Sequence, residues 1–171
     1  MNLRSLSAVV VSLAVLAIAA LLVAQLGLIP APSDSAYERT TVTVVDANGG
    51  QLATVDVRVA DTWRKRYTGL SDTDSLAYGE GMLFVHDGAG THTYVMREMD
   101  FPLDIVFAAP DGTITTIHHA PVPAETPGDS LRPYEGRGKY VLEVPRGYAN
   151  QTGMAVGDRL RIAGKWGAGT R

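Results

Sequence analysis

The sequence predicts a mainly β domain, an antiparallel sandwich or barrel with one or two short helices, preceded by a single N-terminal transmembrane helix. Roughly seven or eight short apolar runs rich in Val, Ile and Thr alternate with turns, a pattern typical of antiparallel β domains. Glycine occurs 18 times and proline 9 times, whereas phenylalanine occurs 3 times, which favours strands and turns over long helices. No run in the domain is long enough for a helix that would connect parallel strands.

Charge and cysteine content exclude several classes of function. The formal net charge is -3 and no cluster of Lys or Arg occurs, so we expect no nucleic-acid partner. The chain has no cysteine, which excludes disulfides, thiolate catalysis and zinc–cysteine sites. Phosphate-binding glycine loops, dinucleotide fingerprints and nucleophile elbows are also missing from the sequence. The sequence therefore predicts no cofactor and no catalytic residue.

Residues 7–29 are predicted to form a membrane anchor. The segment has no charged residue, and about 20 apolar residues span a bilayer as a helix. A cleaved secretory signal is the alternative, although its apolar region is typically about 7 to 15 residues long. Arg4 precedes the segment and Asp34 and Glu38 follow it, so we expect a cytoplasmic N-terminus and an extracytoplasmic domain. The protein is thus predicted to be single-pass in the cell membrane, or secreted if the signal is cleaved.

The rest of the chain is predicted to contain a linker, one domain and a tail. Two prolines in residues 30–39 favour an extended linker, because proline fixes its own torsion and restricts the residue before it. Residues 40–164 are the expected β domain, and residues 165–171 are the expected tail.

The domain is predicted to begin with a hairpin and a short helix. Residues 40–46 and 52–59 alternate at period two around an Asn-Gly-Gly turn, which is a strong hairpin signal. Asp61 is the expected N-cap of a helix that begins near Trp63 and ends at Gly69.

Two further strands are predicted on either side of a turn. Residues 81–85 form a short apolar run between glycines, typical of a strand buried on both faces. Residues 86–90, His-Asp-Gly-Ala-Gly, predict the turn. In the strand that follows, His92, Tyr94 and Met96 share one face because side chains alternate.

The next predicted strand carries an acid on an apolar face. Leu103, Ile105 and Phe107 share one face of this strand, and Asp104 shares the other face with Val106. A carboxylate among apolar side chains indicates either a structural partner or a site.

The C-terminal part is predicted to contain three more strands and a short helix. The strands are at residues 113–119, 140–144 and 159–163, and the helix is at residues 146–153. Residues 120–138 have no periodicity and are rich in proline and glycine. That length exceeds most connections in compact domains, and such loops are often functional.

Five of these segments together resemble a known family. They are Arg66-Tyr-Thr-Gly-Leu70, Gly81-Met-Leu-Phe-Val85, Tyr94-Val-Met-Arg-Glu-Met99, Phe101-Pro-Leu-Asp-Ile-Val-Phe107 and Tyr140-Val-Leu-Glu-Val-Pro-Arg-Gly147. Their order and approximate spacing are similar to those of the prokaryotic family named domain of unknown function 192.

The resemblance covers about residues 55–162 and implies a mainly β, jelly-roll-like sandwich. It implies no reaction, because the family has no assigned one. The chain departs from the family at two places. Members often place Phe or Trp first in the corner motif where this chain has Tyr94-Val95-Met96, and some carry cysteines in the long loop. Without cysteine, that loop has no thiol role here.

The candidate site is the charged corner between the strands before and after Pro102. An arginine fork that faces carboxylates suits recognition of a polar or anionic ligand. The alternative is an internal salt-bridge network that holds the corner and the first helix to the sheet. The residues predicted to converge there are Arg66, Tyr94, Met96, Arg97, Glu98 and Asp104.

Three other kinds of site have weaker support in the sequence. Glu98 and Asp104 could act as an acid–base pair in a hydrolase of envelope polymers. His118 and His119 are adjacent on a strand, so their side chains leave opposite faces and cannot bind one metal ion without a bulge. His86 and His92 flank the predicted turn and could approach each other, but no ligand spacing indicates a metal site.

Aromatic residues offer a further alternative, a platform for carbohydrate. The residues concerned are Trp63, Tyr67, Tyr94 and Tyr134.

The most consistent interpretation is a membrane-anchored extracytoplasmic module. We expect it to bind a small polar ligand or an envelope component, or to serve as structural support, and we expect residues 120–138 to cover the pocket. A purely structural partner of another membrane protein would instead expose a large apolar patch.

Overall fold

The computed structural model describes residues 37–123 and 131–166 of the chain. These residues form seven strands, two short helices and a C-terminal 3-10 turn at Gly164–Trp166. The strands are β1 (Glu38–Val45), β2 (Gln51–Ala60), β3 (Glu80–Tyr94), β4 (Leu103–Ala108), β5 (Ile114–Ala120), β6 (Tyr134–Pro145) and β7 (Arg159–Ile162). The helices are α1 (Trp63–Thr68) and α2 (Tyr148–Thr152).

All seven strands belong to one curled mixed sheet, a half-barrel with the order β5-β4-β6-β3-β2-β1-β7. The mainly β prediction is confirmed, but the antiparallel sandwich is wrong because β2 and β3 run parallel. The jelly-roll arrangement implied by the family resemblance is not evident either. Residues 61–79 connect the parallel pair, and this segment includes only the short helix α1. A parallel connection needs chain length, not a long helix.

The opening hairpin and the first helix form close to where they were predicted. β1 and β2 pair antiparallel, and the Asp46 carboxylate accepts the Asn48 and Gly50 N–H groups at 2.8 Å each. The N-cap of α1 is Thr62, not the predicted Asp61, because the Thr62 hydroxyl accepts the Lys65 N–H. Asp61 instead forms an ion pair with the Lys65 ammonium at 2.9 Å.

β3 continues through the segment that was predicted to be a turn. Val85 lies opposite Tyr140 and Gly90 lies opposite Gly138, so both halves of β3 pair with the same strand, β6. Between these two pairs β3 has more residues than β6, so the extra residues of β3 form a bulge and the chain does not reverse. Bulges bend a strand and increase its local twist.

The predicted loop at residues 120–138 is shorter than expected. β5 ends at Ala120, and β6 already begins at Tyr134. The start of β6 lacks a strand-like sequence pattern because position 136 must be glycine. Gly136 packs so closely against the Phe107 ring that no Cβ would fit there. Residues 120–138 were expected to cover the site, and residues 124–130 of this segment lie outside the described residues.

Both faces of the central strands are buried. Val42, Val55, Leu83, Val106 and Leu142 belong to one apolar cluster, which also includes the first residues of α2. Alternate residues of the central strands form a second cluster with Leu70, Met96 and Met99. Its members on β3, β4 and β6 include Met82, Phe84, Leu103, Ile105, Phe107 and Val141. Strands covered on both faces have continuous apolar sequences, which explains the short apolar runs.

Only two acids are buried within these central strands of the described chain. Asp104 on β4 faces the first cluster, and Glu143 on β6 faces the second. Their different surroundings determine their different roles.

The ends of the folded domain differ slightly from the prediction. Tyr37, assigned to the linker, is buried in the second cluster. Lys165, assigned to the tail, forms an ion pair with Glu38 at 2.9 Å. In the described part of the chain no helix has the length and apolar character needed to cross a membrane. The anchor predicted at residues 7–29 lies outside the described residues.

Candidate binding site

A cavity of about 330 Å³ lies between α1, the bulged strand β3 and the segment that follows β3. It opens on the sheet face that carries the second apolar cluster. Its volume is at the lower end of the range for small-molecule sites, about 300–1,000 Å³. Side chains from β4 and β6 also contribute to its lining, among them Leu103 and Glu143.

The structure brings together four of the six predicted site residues. Arg66, Tyr94, Met96 and Arg97 all line the cavity. Glu98 does not line it; this residue is exposed and has a positive φ of 53° in the corner.

Asp104 lies on the opposite face of the sheet from the cavity. Its carboxylate accepts a hydrogen bond from His119 Nδ1 at 2.6 Å, and from the backbone N–H groups of Gly147 and Ala149 at 3.0 and 2.9 Å. These contacts join β4 to β5 and to the start of α2. The predicted convergence of Asp104 with the arginines is therefore wrong, because alternation along β4 points it away from them.

The same geometry separates the predicted acid–base pair. Asp104 has 0% exposure, and both of its oxygens accept hydrogen bonds within the protein. An acid or base must reach the substrate or a water molecule next to it. Asp104, enclosed in the fold, is not positioned for the acid–base role predicted for it with Glu98.

The two cavity arginines are held by backbone carbonyls. Arg66 Nη1 donates to the carbonyls of Asp61 at 3.1 Å and Val85 at 2.8 Å. Arg97 Nη2 donates to the Tyr67 carbonyl at 2.6 Å, and its guanidinium lies 4.2 Å from the centre of the Tyr67 ring. Neither forms an ion pair with a carboxylate of the described residues. The salt-bridge network considered as an alternative is thus not formed by these arginines.

A pair of stacked histidines forms one wall of the cavity. The centroids of the His86 and His92 rings are 3.5 Å apart and the rings are nearly parallel, so these residues do approach each other, as the sequence allowed. His92 Nε2 donates to the Gly138 carbonyl at 3.1 Å, and His86 Nε2 is 3.0 Å from the Tyr94 hydroxyl. Burial, with His92 and Arg66 nearby, lowers the pKa of His86 to about 4. His86 is therefore uncharged at neutral pH.

Histidine and acidic residues do not cluster into a metal site in the described part of the chain. No group of three or more His, Asp and Glu side chains there could hold an ion. His118 and His119 leave opposite faces of β5 as predicted. His118 Nε2 donates to the Glu135 carbonyl at 2.7 Å, whereas His119 contacts Asp104.

Glu143 is an acidic cavity residue that the sequence did not identify as a candidate. The residue is 6% exposed and lines the cavity. It makes no hydrogen bond or ion pair with any described residue. Burial raises the pKa of its carboxyl to about 8, so this group is mainly protonated at neutral pH. The sequence feature that could have identified Glu143 is its place as the one acid in the apolar run at residues 140–144, on a strand that is buried on both faces.

An aromatic pair borders the cavity at its solvent side. Trp63 and Tyr67 are one turn apart on α1, and their rings stack with centroids 5.5 Å apart. Trp63 is 71% exposed and Tyr67 is 60% exposed, which is unusual for large aromatic side chains. Of the four aromatics considered as a platform, Trp63, Tyr67 and Tyr94 line the cavity and Tyr134 does not.

Fold and site together define a curled-sheet domain with a small-molecule-sized cavity lined by two arginines and a buried acid. The family model of the domain of unknown function 192, described as an uncharacterised ACR, matches residues 43–162. The chain belongs to this family.

Two solved structures are similar to the chain. One is from Sinorhizobium meliloti and is described only provisionally as a transcription regulator; it is 31% identical, covers 74% of this chain and 95% of its own, and has a TM-score of 0.65. The other, from Novosphingobium aromaticivorans, is of unknown function; it is 28% identical, covers 74% of this chain and 87% of its own, and has a TM-score of 0.64. None of the curated proteins matches the chain.

Glu143 should make the folding stability depend on pH. The pKa of its carboxyl is about 8 in the folded state against an ordinary value of 4.5, so between these values the folded state holds a proton that the unfolded state releases. Its contribution to stability is therefore complete below pH 4.5 and declines as the pH rises to about 8, by at most about 1.4 kcal/mol per pH unit. Glu143→Gln should remove this slope. Denaturant unfolding of both proteins at several pH values measures the difference, and parallel stability curves would contradict the assignment.

Asp104→Asn should lower the free energy of unfolding by about 1–3 kcal/mol. An NH2 group then replaces one carboxylate oxygen, and it cannot accept a hydrogen bond from His119 or from the backbone N–H groups. Glu98→Gln is the matched control, since Glu98 is exposed, and it should change stability by less than about 0.5 kcal/mol. Chemical denaturation measures both. Equal stability of the two variants would mean that the Asp104 contacts contribute nothing to the fold.

Proposed function

We propose that the domain is a binding module that takes a small organic anion into the cavity lined by Arg66 and Arg97. One observation carries the proposal: both guanidiniums border the same cavity, and neither forms an ion pair with a carboxylate of the described residues.

The remaining hydrogen-bonding capacity of the arginines supports an anionic ligand. A guanidinium has five N–H donors, and the contacts of Arg66 and Arg97 occupy only part of them. Arginine forks bind carboxylate and phosphate groups through paired hydrogen bonds. Within the described lining the one carboxyl is Glu143, which is mainly uncharged at neutral pH. The cavity therefore keeps an excess of positive charge.

The apolar part of the lining supports a ligand with an aromatic or compact apolar body. Phe84, Met96 and Leu103 are buried lining residues of the cavity, while the exposed Trp63 and Tyr67 border its solvent side. Aromatic rings offer flat faces for stacking, and methionine adapts to irregular shapes. An anionic head group on a ring would match both parts of the lining.

The predicted anchor suggests where binding occurs. If residues 7–29 span the membrane with the N-terminus in the cytoplasm, the cavity meets ligands outside the cytoplasm. An envelope component or a small molecule in that compartment would then be the ligand.

Anion binding should depend on charge and on the cavity arginines. We expect full-length protein in detergent to bind benzoate or phenyl phosphate more tightly than uncharged benzamide in calorimetric titrations. Arg97→Gln should weaken binding of the anions by roughly ten- to a hundredfold, because hydrogen bonds to charged groups contribute about 1.5–3 kcal/mol. Arg64→Gln is the matched control, because Arg64 is an exposed residue of α1 outside the cavity.

Two results would contradict the proposal. One is equal affinity for benzamide and benzoate. The other is loss of binding in Arg64→Gln as large as that in Arg97→Gln.

The anchor can be tested by cell fractionation. The full-length chain should stay in the membrane pellet after an alkaline carbonate wash, because a spanning helix is held by its apolar length. A chain released at reduced mass would instead indicate that the N-terminal segment is a cleaved signal.

A further inference from the structure

Glu143 has an environment that the proposed anion site alone does not explain. Glu143 lines the cavity and is 6% exposed as a residue, and its carboxyl has no hydrogen-bond or ion-pair partner among the described residues. Buried polar groups in folded proteins nearly always have partners. Asp104, the comparable acid on the other face of the sheet, has three such partners. A carboxyl at the wall of a cavity that has no hydrogen-bond partner in the protein is suited to form a hydrogen bond with a ligand.

Charged and titratable side chains share the cavity with Glu143. α1 contributes Arg66, the segment after β3 contributes Arg97, and β3 contributes His86, His92 and Tyr94. The neighbouring positions on β3 and β4 are the apolar Met82 and Ile105, and Arg58 of β2 lies beyond Met82.

Burial is what raises the pKa of Glu143, to about 8. Tyr94 remains a hydroxyl, because burial and the nearby Glu143 raise its pKa. At neutral pH the inner part of the cavity therefore offers a carboxylic O–H donor next to uncharged His86 and Tyr94.

We propose, on the basis of anion binding at Arg66 and Arg97, that Glu143 donates its O–H to an uncharged oxygen acceptor at the other end of the same ligand. The ligand class is a small organic acid with a second oxygen function, such as a carbonyl, ester or hydroxyl group. The arginines bind the acidic group, and Glu143 selects for the acceptor.

A ligand with an ammonium group at that end is disfavoured. It would add a third positive charge to a cavity that already holds Arg66 and Arg97, and like charges in a partly buried space repel strongly. It would also require Glu143 to ionise where burial opposes the charged form.

Binding of the proposed ligand is linked to one proton. The ligand binds the protonated form of Glu143, so the affinity is nearly constant below the pKa of that carboxyl. Above it, the affinity falls by up to about tenfold per pH unit as the O–H donor is lost. A glutamine at this position would offer an amide N–H donor that does not titrate.

Three probes distinguish the acceptor from the anionic group. They are 4-acetylbenzoate, which has an anion and a carbonyl acceptor, benzoate, which has the anion alone, and 4-(aminomethyl)benzoate, which has an anion and an ammonium. Each is titrated calorimetrically into full-length protein in detergent at about pH 6.5 and about pH 9.5, on either side of the Glu143 pKa. Glu143→Gln is titrated in parallel, after its melting temperature shows that it is folded.

We expect wild type at about pH 6.5 to bind 4-acetylbenzoate roughly tenfold or more tightly than benzoate, as one hydrogen bond allows. The advantage should be lost at about pH 9.5 in wild type and retained there in Glu143→Gln. The wild-type comparison needs no variant, so it remains decisive even if Glu143→Gln does not fold.

Other outcomes overturn the inference in distinguishable ways. Equal binding of benzoate and 4-acetylbenzoate at both pH values would refute the role of Glu143 and leave the anion site intact. If 4-(aminomethyl)benzoate binds more tightly than the other two probes, and its affinity increases with pH, Glu143 acts as an anion. Failure of all three probes to bind at about 10 mM, far weaker than ordinary ligand affinities, would overturn both this inference and the proposed function.

Discussion

Burial of both faces of the central strands is the constraint on which the rest of this structure depends. β3, β4 and β6 have an apolar cluster on each side, so any charged side chain on them must find partners or lose its charge. Asp104 keeps its partners: two backbone N–H groups and a histidine nitrogen. Glu143 has no such donors and is protonated instead, because burial raises its pKa. One acid therefore serves the fold, while the other lines the cavity.

The cavity depends on two local departures from regular structure. The bulge between Val85 and Gly90 keeps both halves of β3 paired with β6, and the two halves bring His86 and His92 into a stack. α1 lies on the parallel connection and contributes Arg66, whose guanidinium is fixed by the Val85 carbonyl. Because carbonyls orient the arginines without neutralising them, their positive charge remains available to a ligand.

Membership of the family accounts for the fold of this chain but not for its chemistry. The two similar structures cover about three quarters of the chain at moderate identity, which fits a shared sheet arrangement. Function depends on the groups within a site and not on the fold that carries them. Positive charge from Arg66 and Arg97, a neutral Glu143 and the exposed Trp63–Tyr67 stack are therefore the relevant features here.

The sequence alone determined the mainly β class, the opening hairpin, the short helices and four residues of the cavity, because strand alternation and turn preferences act over a few residues. Only the tertiary structure decided that β2 and β3 are parallel, that Asp104 faces away from Arg66 and Arg97, and that Glu143 faces toward them. Strand order and sheet curvature arise from contacts between distant residues, and the raised pKa of Glu143 arises from the burial these contacts create. Such effects leave no local pattern beyond a single acid in an apolar run.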